Sequence, residues 1–327
     1  MRYYMFKLNF SGPVHFGADV PGLGLEKSMM TCHADTLFSA LCHEAVYIYG
    51  EKGLRYLIEA AEKGGLLLSD LMPYRGEDLY IPRPVVALEA EGKDPSQKKR
   101  LKRISHIKVS DVAGYLKFLA GEESSWEPVP PEFGAYELYP RVALSYQSNP
   151  RPYMVGTYRF LPDAGLYFII GLGEEGDLDF YRALIESLGY SGLGGKRTAG
   201  CGYFELEDSE YDLSDTEYCY TECEEALARM LKAENSRLFL TLSVICPNDE
   251  DMDVLKDSSS TYSLIQRRGF VLSKTYSDRF LKRRPLIMIN AGSCFPAKLK
   301  GQIVDVSNEG SHPVYRYGLA LMAGVEG

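Results

Sequence analysis

The chain has no apolar run of the length that crosses a bilayer, so a helical membrane span is not expected. It is also poor in residues that mark many catalytic and metal-binding folds: 327 residues hold one tryptophan, five histidines and seven cysteines. The cysteines (Cys32, Cys42, Cys201, Cys219, Cys223, Cys246, Cys294) are odd in number and scattered, which excludes a disulfide scaffold as the organising device. Cys219 and Cys223 lie four apart with no second Cys or His pair near them, so ordinary thiols are expected, with no metal and no cofactor. No Walker loop is present, because Gly194-Gly195-Lys196 is followed by Arg197 and the preceding glycine is wrongly spaced. HExxH and GxSxG are absent too. His15, His33 and His43 have the chemistry for acid–base cleavage of RNA, since imidazole titrates near neutrality. Asp35 has no acidic partner at motif-like spacing, and no catalytic set is expected.

Positive charge is in deficit as well, at a net −9. The deficit is local. Ten acids fall between Glu205 and Glu225 with no Lys or Arg among them, so the rest of the chain is close to neutral. Field strength at a site follows local charge, and the acidic total therefore does not exclude nucleic-acid binding. The opening MRYYMFKLNF alternates and lacks a small-residue cleavage site, so it reads as a first strand, and a cytoplasmic protein is expected.

What the chain does have is glycine in one place. Gly192, Gly194, Gly195, Gly200 and Gly202 fall within eleven residues, between a helix-like segment (177–188) and a strand-like one (201–206). Glycine loses more backbone entropy on folding than other residues, so such a cluster marks tight turns or a close backbone approach. Lys196, Arg197 and Thr198 stand at its centre. Exposed amides beside two cations would cradle phosphate oxygens; a plain surface turn with solvated charges is the alternative.

Along the chain, residues 3–10 read as a strand with Met5, Leu8 and Phe10 inward. A helix is expected from Asp35 to Gly50, with Leu37, Leu41, Ala45 and Ile48 as its apolar stripe and Phe38 and Val46 widening it. A second helix runs over 52–63. Residues 88–135 read as an insertion whose basic run is either a solvated face or an electrostatic footprint. Strands are expected over 141–145 and 153–160, with a polar tip between them. Tyr146, Gln147, Arg151 and Tyr153 mix ring faces, an amide and a cation, a combination suited to single-stranded RNA. In the C-terminal part, 261–266 and 269–273 read as a strand pair turning at Arg267-Arg268.

His15-Phe16-Gly17, HADTLFSA from His33, Leu68-Ser69-Asp70, Met72-Pro73-Tyr74, Tyr80 to Pro84, Arg141 to Phe160, GLGGKRTAGCGYF and HPVYRYG from His312 follow one another in a fixed order. In this order the chain resembles the RAMP superfamily of CRISPR-associated proteins, and within it the family of fourth Csm subunits of type III-A interference complexes. The resemblance implies an α+β chain of two ferredoxin-like (RRM-like) domains, 1–207 and 208–327, with a protruding β-hairpin at about 141–160. It implies a non-catalytic role: holding the 5′ repeat-derived handle of the CRISPR RNA and joining the large polymerase-like signature subunit to the backbone RAMP subunit. An endoribonuclease that processes precursor CRISPR RNA is the alternative. The expected RNA-contacting residues are His15, Phe16, Gly17, His33, Arg141, Tyr146, Gln147, Arg151, Tyr153, Gly192, Gly194, Gly195, Lys196, Arg197, Thr198 and Gly200.

Overall fold

The computed structural model describes residues 1–17, 24–86, 101, 103–123, 126, 131–145, 148–207, 211–273 and 275–325. Strand β1 (Arg2–Phe10) is followed by helix α1 (Ala34–Glu62), β2 (Leu66–Leu68), β3 (Met72–Arg75) and β4 (Asp78–Pro82). Then come β5 (His106–Lys108) and α2 (Val112–Ala120). A two-stranded ribbon, β6 (Gly134–Ser145) and β7 (Ser148–Phe160), precedes β8 (Ala164–Leu172), α3 (Leu178–Ser191) and β9 (Phe204–Leu206). The main sheet runs β9-β1-β8-β3-β4-β5, with β2 also on β8, and these pairings are antiparallel. With β2 and β3 sharing the second position, the strands lie in the order 4-1-3-2, the arrangement of a split β-α-β pair.

The sheet is covered on both faces, and this changes how its strands read. Tyr4, Phe6, Leu8 and Phe10 of β1 pack into one core with α1 and α3, whereas Met5 belongs to a second core with α2 and the C-terminal half. The inward set expected from sequence mixed the two faces; no bulge is needed, because β1 pairs β8 in unbroken register from Arg2↔Leu172 to Leu8↔Leu166. All nine residues of β8 are buried, as expected of a central strand with no solvent face. Helices 1 and 2 of the sequence reading run together as α1, with a non-helical Gly50 (φ 66°, ψ −156°) at the junction. The buried stripe of α1 runs through Leu37, Leu41 and Ala45 and resumes beyond Gly50 at Leu57 and Ala61. Between these two stretches Val46 and Ile48, expected to belong to the apolar side, are exposed.

The insertion is narrower than expected. Ile104, Ile107, Val112, Tyr115, Leu116 and Leu119 are buried in the second core. Gly134 and Ala135 already belong to the ribbon, whose register pairs Gly134↔Phe160 and Arg141↔Tyr153. The basic residues 93–100 and Lys102, with tip residues Tyr146 and Gln147, lie outside the described residues. Pro150 and Pro152, placed in a tip by sequence, lie within β7. A two-stranded ribbon tolerates them because half of its backbone N–H groups face outward and need no strand partner.

After the acidic stretch come α4 (Glu222–Lys232), β10 (Leu238–Thr241), β11 (Leu264–Arg267), β12 (Leu286–Ile289), β13 (Cys294–Phe295) and β14 (Met322–Val325). The second sheet is β13-β10-β14. A lone bridge, Thr261↔Cys294, stands where a fourth strand would lie. β11 pairs with β12, not with 269–273. Arg267 cannot sit at a turn because it is buried, and its guanidinium reaches back to Asp35. The two halves share their cores: Tyr317 packs 5.1 Å from Phe38, its hydroxyl accepting from the Leu68 amide at 2.7 Å.

Candidate nucleic-acid interface

The glycine loop begins where α3 stops. Asp177 caps the helix start by accepting from the Asp179 and Phe180 amides, and Gly192 (φ 79°) ends it. Leu193, fully buried, then anchors the loop, its amide donating to the Gly202 carbonyl at 2.9 Å. A side chain at Gly202 (φ 82°) would place Cβ 2.0 Å from the Leu193 carbonyl oxygen. Only glycine fits. A Cβ at Gly195 would meet the His15 ring at 2.8 Å, and the Gly195 amide donates to the His15 carbonyl at 2.9 Å. The glycines thus serve close approach to the segment 12–16. The expected cradle of exposed amides is largely absent, since the amides of Gly192, Leu193, Gly195, Ala199, Gly200, Cys201 and Gly202 all have protein acceptors. What the loop presents outward is side chains.

His15 and Phe16 support it from beneath. The His15 ring is buried, with Nδ1 2.6 Å from the Gly156 carbonyl oxygen, and Phe16 is buried edge-on to Phe10. Gly17 is exposed, paired with Ser28. The Gly156 contact ties the base of the ribbon to the loop. Alternation along the ribbon then sends Glu137, Tyr139 and Arg141 of β6, and Tyr153, Val155, Thr157 and Arg159 of β7, to one face. That face and the loop enclose a cleft of about 200 Å³ lined by Pro13, Tyr139, Arg141, Tyr153, Val155, Thr157, Arg159, Lys196, Ala199 and Cys201.

The cleft is cationic. Lys196, in the left-handed conformation (φ 58°), holds its ammonium 4.9 Å from the Tyr153 ring centroid, so one face of that ring is already covered. Arg159 is paired with Glu137 at 3.2 Å, and Tyr139 donates to the same carboxylate at 2.6 Å. Burial pushes the Cys201 thiol up, while Arg141, Lys196 and Arg159 pull it the other way, which shows the three cations converging on one point. On the cleft wall the buried Thr157 hydroxyl has no partner. Arg151 is exposed further out, opposite Ala143, and Thr198 and Gly200 are exposed on the loop. Arg197 accepts at its carbonyl from the Tyr203 hydroxyl.

Sequence reasoning missed Tyr139, Thr157 and Arg159. Stepping by two from Tyr153 within the expected strand 153–160 reaches Thr157 and Arg159, and stepping by two from Arg141 reaches Tyr139 once that strand is extended back from 141.

His33 lies apart from the cleft. Its Nδ1 sits 2.6 Å from an Asp70 carboxylate oxygen, whose mate accepts from the Ala34 amide at 2.8 Å and the Val244 amide at 3.1 Å. Burial alone would lower its pKa, but the charge and hydrogen bond of Asp70, with Asp35 adding, raise it. Asp35 itself is buried and bound by Arg267 at 2.8 and 3.0 Å and by Arg316. Both groups weld α1 to the C-terminal half. Among the described residues no cluster of three or more His, Cys, Asp or Glu could hold a metal, and no helix is long and apolar enough to cross a membrane.

A 4-1-3-2 sheet carrying a ribbon and a glycine loop beside its first strand defines the class. Residues 7–205 match the RAMP superfamily model, and residues 234–325 match the CRISPR Csm4 C-terminal domain. The chain is 33% identical to a protein of Mycobacterium tuberculosis described as CRISPR system Cms protein Csm4, over 98% of this chain and 97% of that one. It is 27% identical to a Streptococcus thermophilus protein of the same description, over the whole of both. The chain belongs to the Csm4 family of the RAMP superfamily. Its fold matches chains in the Csm3-Csm4 subcomplex of the type III-A CRISPR-Cas interference complex (17% identity, TM-score 0.64, all of both chains). It also matches a chain in a Csm1-Csm4 cassette with cA4 (21% identity, TM-score 0.63, 100% of this chain and 98% of that one).

Proposed function

We propose that this chain is a non-catalytic, cytoplasmic subunit of a type III-A CRISPR ribonucleoprotein that holds the 5′ handle of the CRISPR RNA in the ribbon–loop cleft. In the same complex it joins the large signature subunit to the backbone RAMP subunit, as relatives solved in Csm1-Csm4 and Csm3-Csm4 assemblies suggest. The observation that carries the reading is the cleft. Arg141, Arg159 and Lys196 surround a space flanked by Tyr139 and Tyr153, the mixture of phosphate-neutralising cations and ring faces that single-stranded RNA requires. Lys196 lies over one face of Tyr153, so Tyr139 or the other face of Tyr153 would take a base, while Arg141 and Lys196 take phosphate. The non-catalytic part rests on where the acid–base groups are. Asp35 is bound by two guanidinium groups, His33 by Asp70, and His15 by a backbone carbonyl.

The test is binding of a labelled RNA oligonucleotide bearing the repeat-derived handle to the full chain, with Arg141→Ala and Lys196→Ala made separately and together. Each lost phosphate contact should lower the salt slope by about 0.7, the value for single strands. Unchanged affinity and slope in the double variant would remove the cleft from RNA binding. RNA incubated with wild-type chain and Mg²⁺ or Mn²⁺ should stay intact.

A further inference from the structure

At the seam between the two halves the buried charges pair with one another, Asp35 with Arg267 and Arg316, and Asp70 with His33. The ribbon–loop cleft sorts its charges differently. At its outer end, toward the ribbon tip, stand Arg141 and Lys196; among the described residues neither forms an ion pair, and the Lys196 ammonium rests on the Tyr153 ring. At its inner end, toward the ribbon base, Arg159 is taken up by Glu137, with Nε 3.3 and 3.2 Å from the two carboxylate oxygens. Tyr139 donates to one of these oxygens at 2.6 Å and lies 3.5 Å from an Arg159 Nη. The inner end therefore holds a carboxylate and a guanidinium that cancel. A phosphate entering the cleft is drawn to Arg141 and Lys196, and gains little further in.

The wall of the inner end is uncharged. Val155, Thr157 and Cys201 line it and are buried, and a phosphate seated on them would lose its hydration with no compensating contact. A nucleobase has apolar faces and polar atoms only at its edge, which is what this end can accommodate. Thr157 is 2% exposed and its hydroxyl has no hydrogen-bond partner, whereas buried polar groups are nearly always paired. Glu137 stands directly across the ribbon from Thr157 on the same face, where cross-strand Cβ atoms lie about 4.5–5.5 Å apart. Its carboxylate turns to Arg159 and Tyr139 and leaves the hydroxyl without an acceptor. The cleft, at about 200 Å³, is smaller than the roughly 300–1,000 Å³ of a pocket for a drug-sized molecule, so it suits a single ring system.

Resting on the reading that this cleft holds the handle, we propose that its inner end is a pocket for one unstacked base of that RNA, and that Glu137 with Thr157 selects an amino-bearing base over uracil. An ionised carboxylate only accepts hydrogen bonds. Guanine, adenine and cytosine can each turn an amino group toward it, as cytosine does toward carboxylates in DNA recognition. Uracil has no amino group and sets a carbonyl oxygen there, so two acceptors face each other. The Thr157 hydroxyl both donates and accepts, and takes the neighbouring edge atom of whichever base enters. The phosphate of the same nucleotide is left to Arg141 and Lys196.

Anisotropy of handle RNAs bound to the full chain tests this, with uridine, and separately an abasic unit, placed at successive positions. At one position both changes should weaken binding to wild type, uridine by about 5- to 150-fold, the span of one lost base-edge contact. Glu137→Gln offers a donor as well as an acceptor. It should remove most of the uridine penalty while the abasic penalty and the salt slope stay as in wild type. Thr157→Val should weaken binding of the base-bearing handle yet leave the melting temperature of the free chain equal or higher, because it removes a buried group that has no partner there. A lowered melting temperature with unchanged affinity would overturn the part given to Thr157. The absence of a uridine penalty at any position, or a penalty that survives in Glu137→Gln, would overturn the pocket. So would a Glu137→Gln chain that binds every sequence more tightly with a salt slope steeper by about 0.7, since the freed Arg159 would then be taking phosphate. If Arg141→Ala and Lys196→Ala still weaken binding in that event, the cleft reading stands by itself; if they have no effect, both fall.

Discussion

Replacing Asp35 by asparagine keeps the side chain's shape and removes only its charge. Arg267 and Arg316, 6% and 2% exposed at their side chains, would then stand in the seam without their carboxylate. Breaking a buried ion pair from one side costs about 3–5 kcal/mol, because the charge left behind is desolvated and unpaired. Here Arg267 and Arg316 both lose the carboxylate between them, and Arg283 nearby adds repulsion, so a loss within that range is expected. Set against a typical folding stability of about 5–15 kcal/mol, this is a large fraction. The loss should also be localised. Asp35 belongs to α1 and its two partners to the C-terminal half, so hydrogen exchange should rise first in β11 and around Arg316. Urea unfolding gives the total, and exchange mapped by mass spectrometry gives the place. A companion variant, Asp35→Leu with Arg267→Met and Arg316→Met, removes every charge of the triad and should recover most of the lost stability. If Asp35→Asn unfolds within about 0.5 kcal/mol of wild type, as an ordinary surface change does, and exchange is unaltered, Asp35 is not the weld described here. Loss of an RNA-cleaving activity in that same stable variant would make it a catalytic carboxylate instead.

Gly202→Ala should unfold the glycine loop, since Cβ would lie 2.0 Å from the Leu193 carbonyl and φ is positive; a lowered melting temperature together with lost handle affinity is the expected pair of results, and an unchanged melting temperature would refute it. Removing residues 142–152 and joining Arg141 to Tyr153, a cross-strand pair, through Asn-Gly should leave the sheet intact. It should also change the fluorescence of 2-aminopurine at the handle–guide junction of the assembled complex; a wild-type signal at every position would make the outer ribbon structural only. Burial of the His106 ring holds its pKa down to about 4, with Asp70 opposing. Its contribution is therefore complete above the unfolded value near 6.5 and is lost as pH falls toward 4. His33, raised in the fold, contributes in the opposite sense, below the unfolded value, and is lost as pH rises through the folded one. Urea midpoints at pH 5 and 7.5 should show that the acid loss is smaller in His106→Gln and that Asp70→Asn removes the His33 contribution.

The order of elements was legible in the chain because local chemistry writes it. Gly50 broke a helical pattern where the backbone does leave the helix, five glycines marked the turn beside the first strand, and alternation flagged the ribbon. Local pattern could not say which face of β1 met which core, because a strand covered on both sides shows apolar residues at consecutive positions and loses its period. Nor could it assign roles to polar residues. The sequence marks His15 and His33 as expected RNA contacts and leaves Asp35 without a partner at motif-like spacing; in the fold each is held by a group 37 or more positions away in sequence. Prolines 150 and 152 argued for a tip, since sequence carries no sign that a strand will have a free edge. The cleft itself depends on contact between residue 15 and residues 156 and 195, and the seam on arginines more than 200 residues from the aspartate they share. Residue types and their spacing along one element are properties of the sequence; charge convergence and burial depend on long-range contacts, and only the tertiary structure decided those.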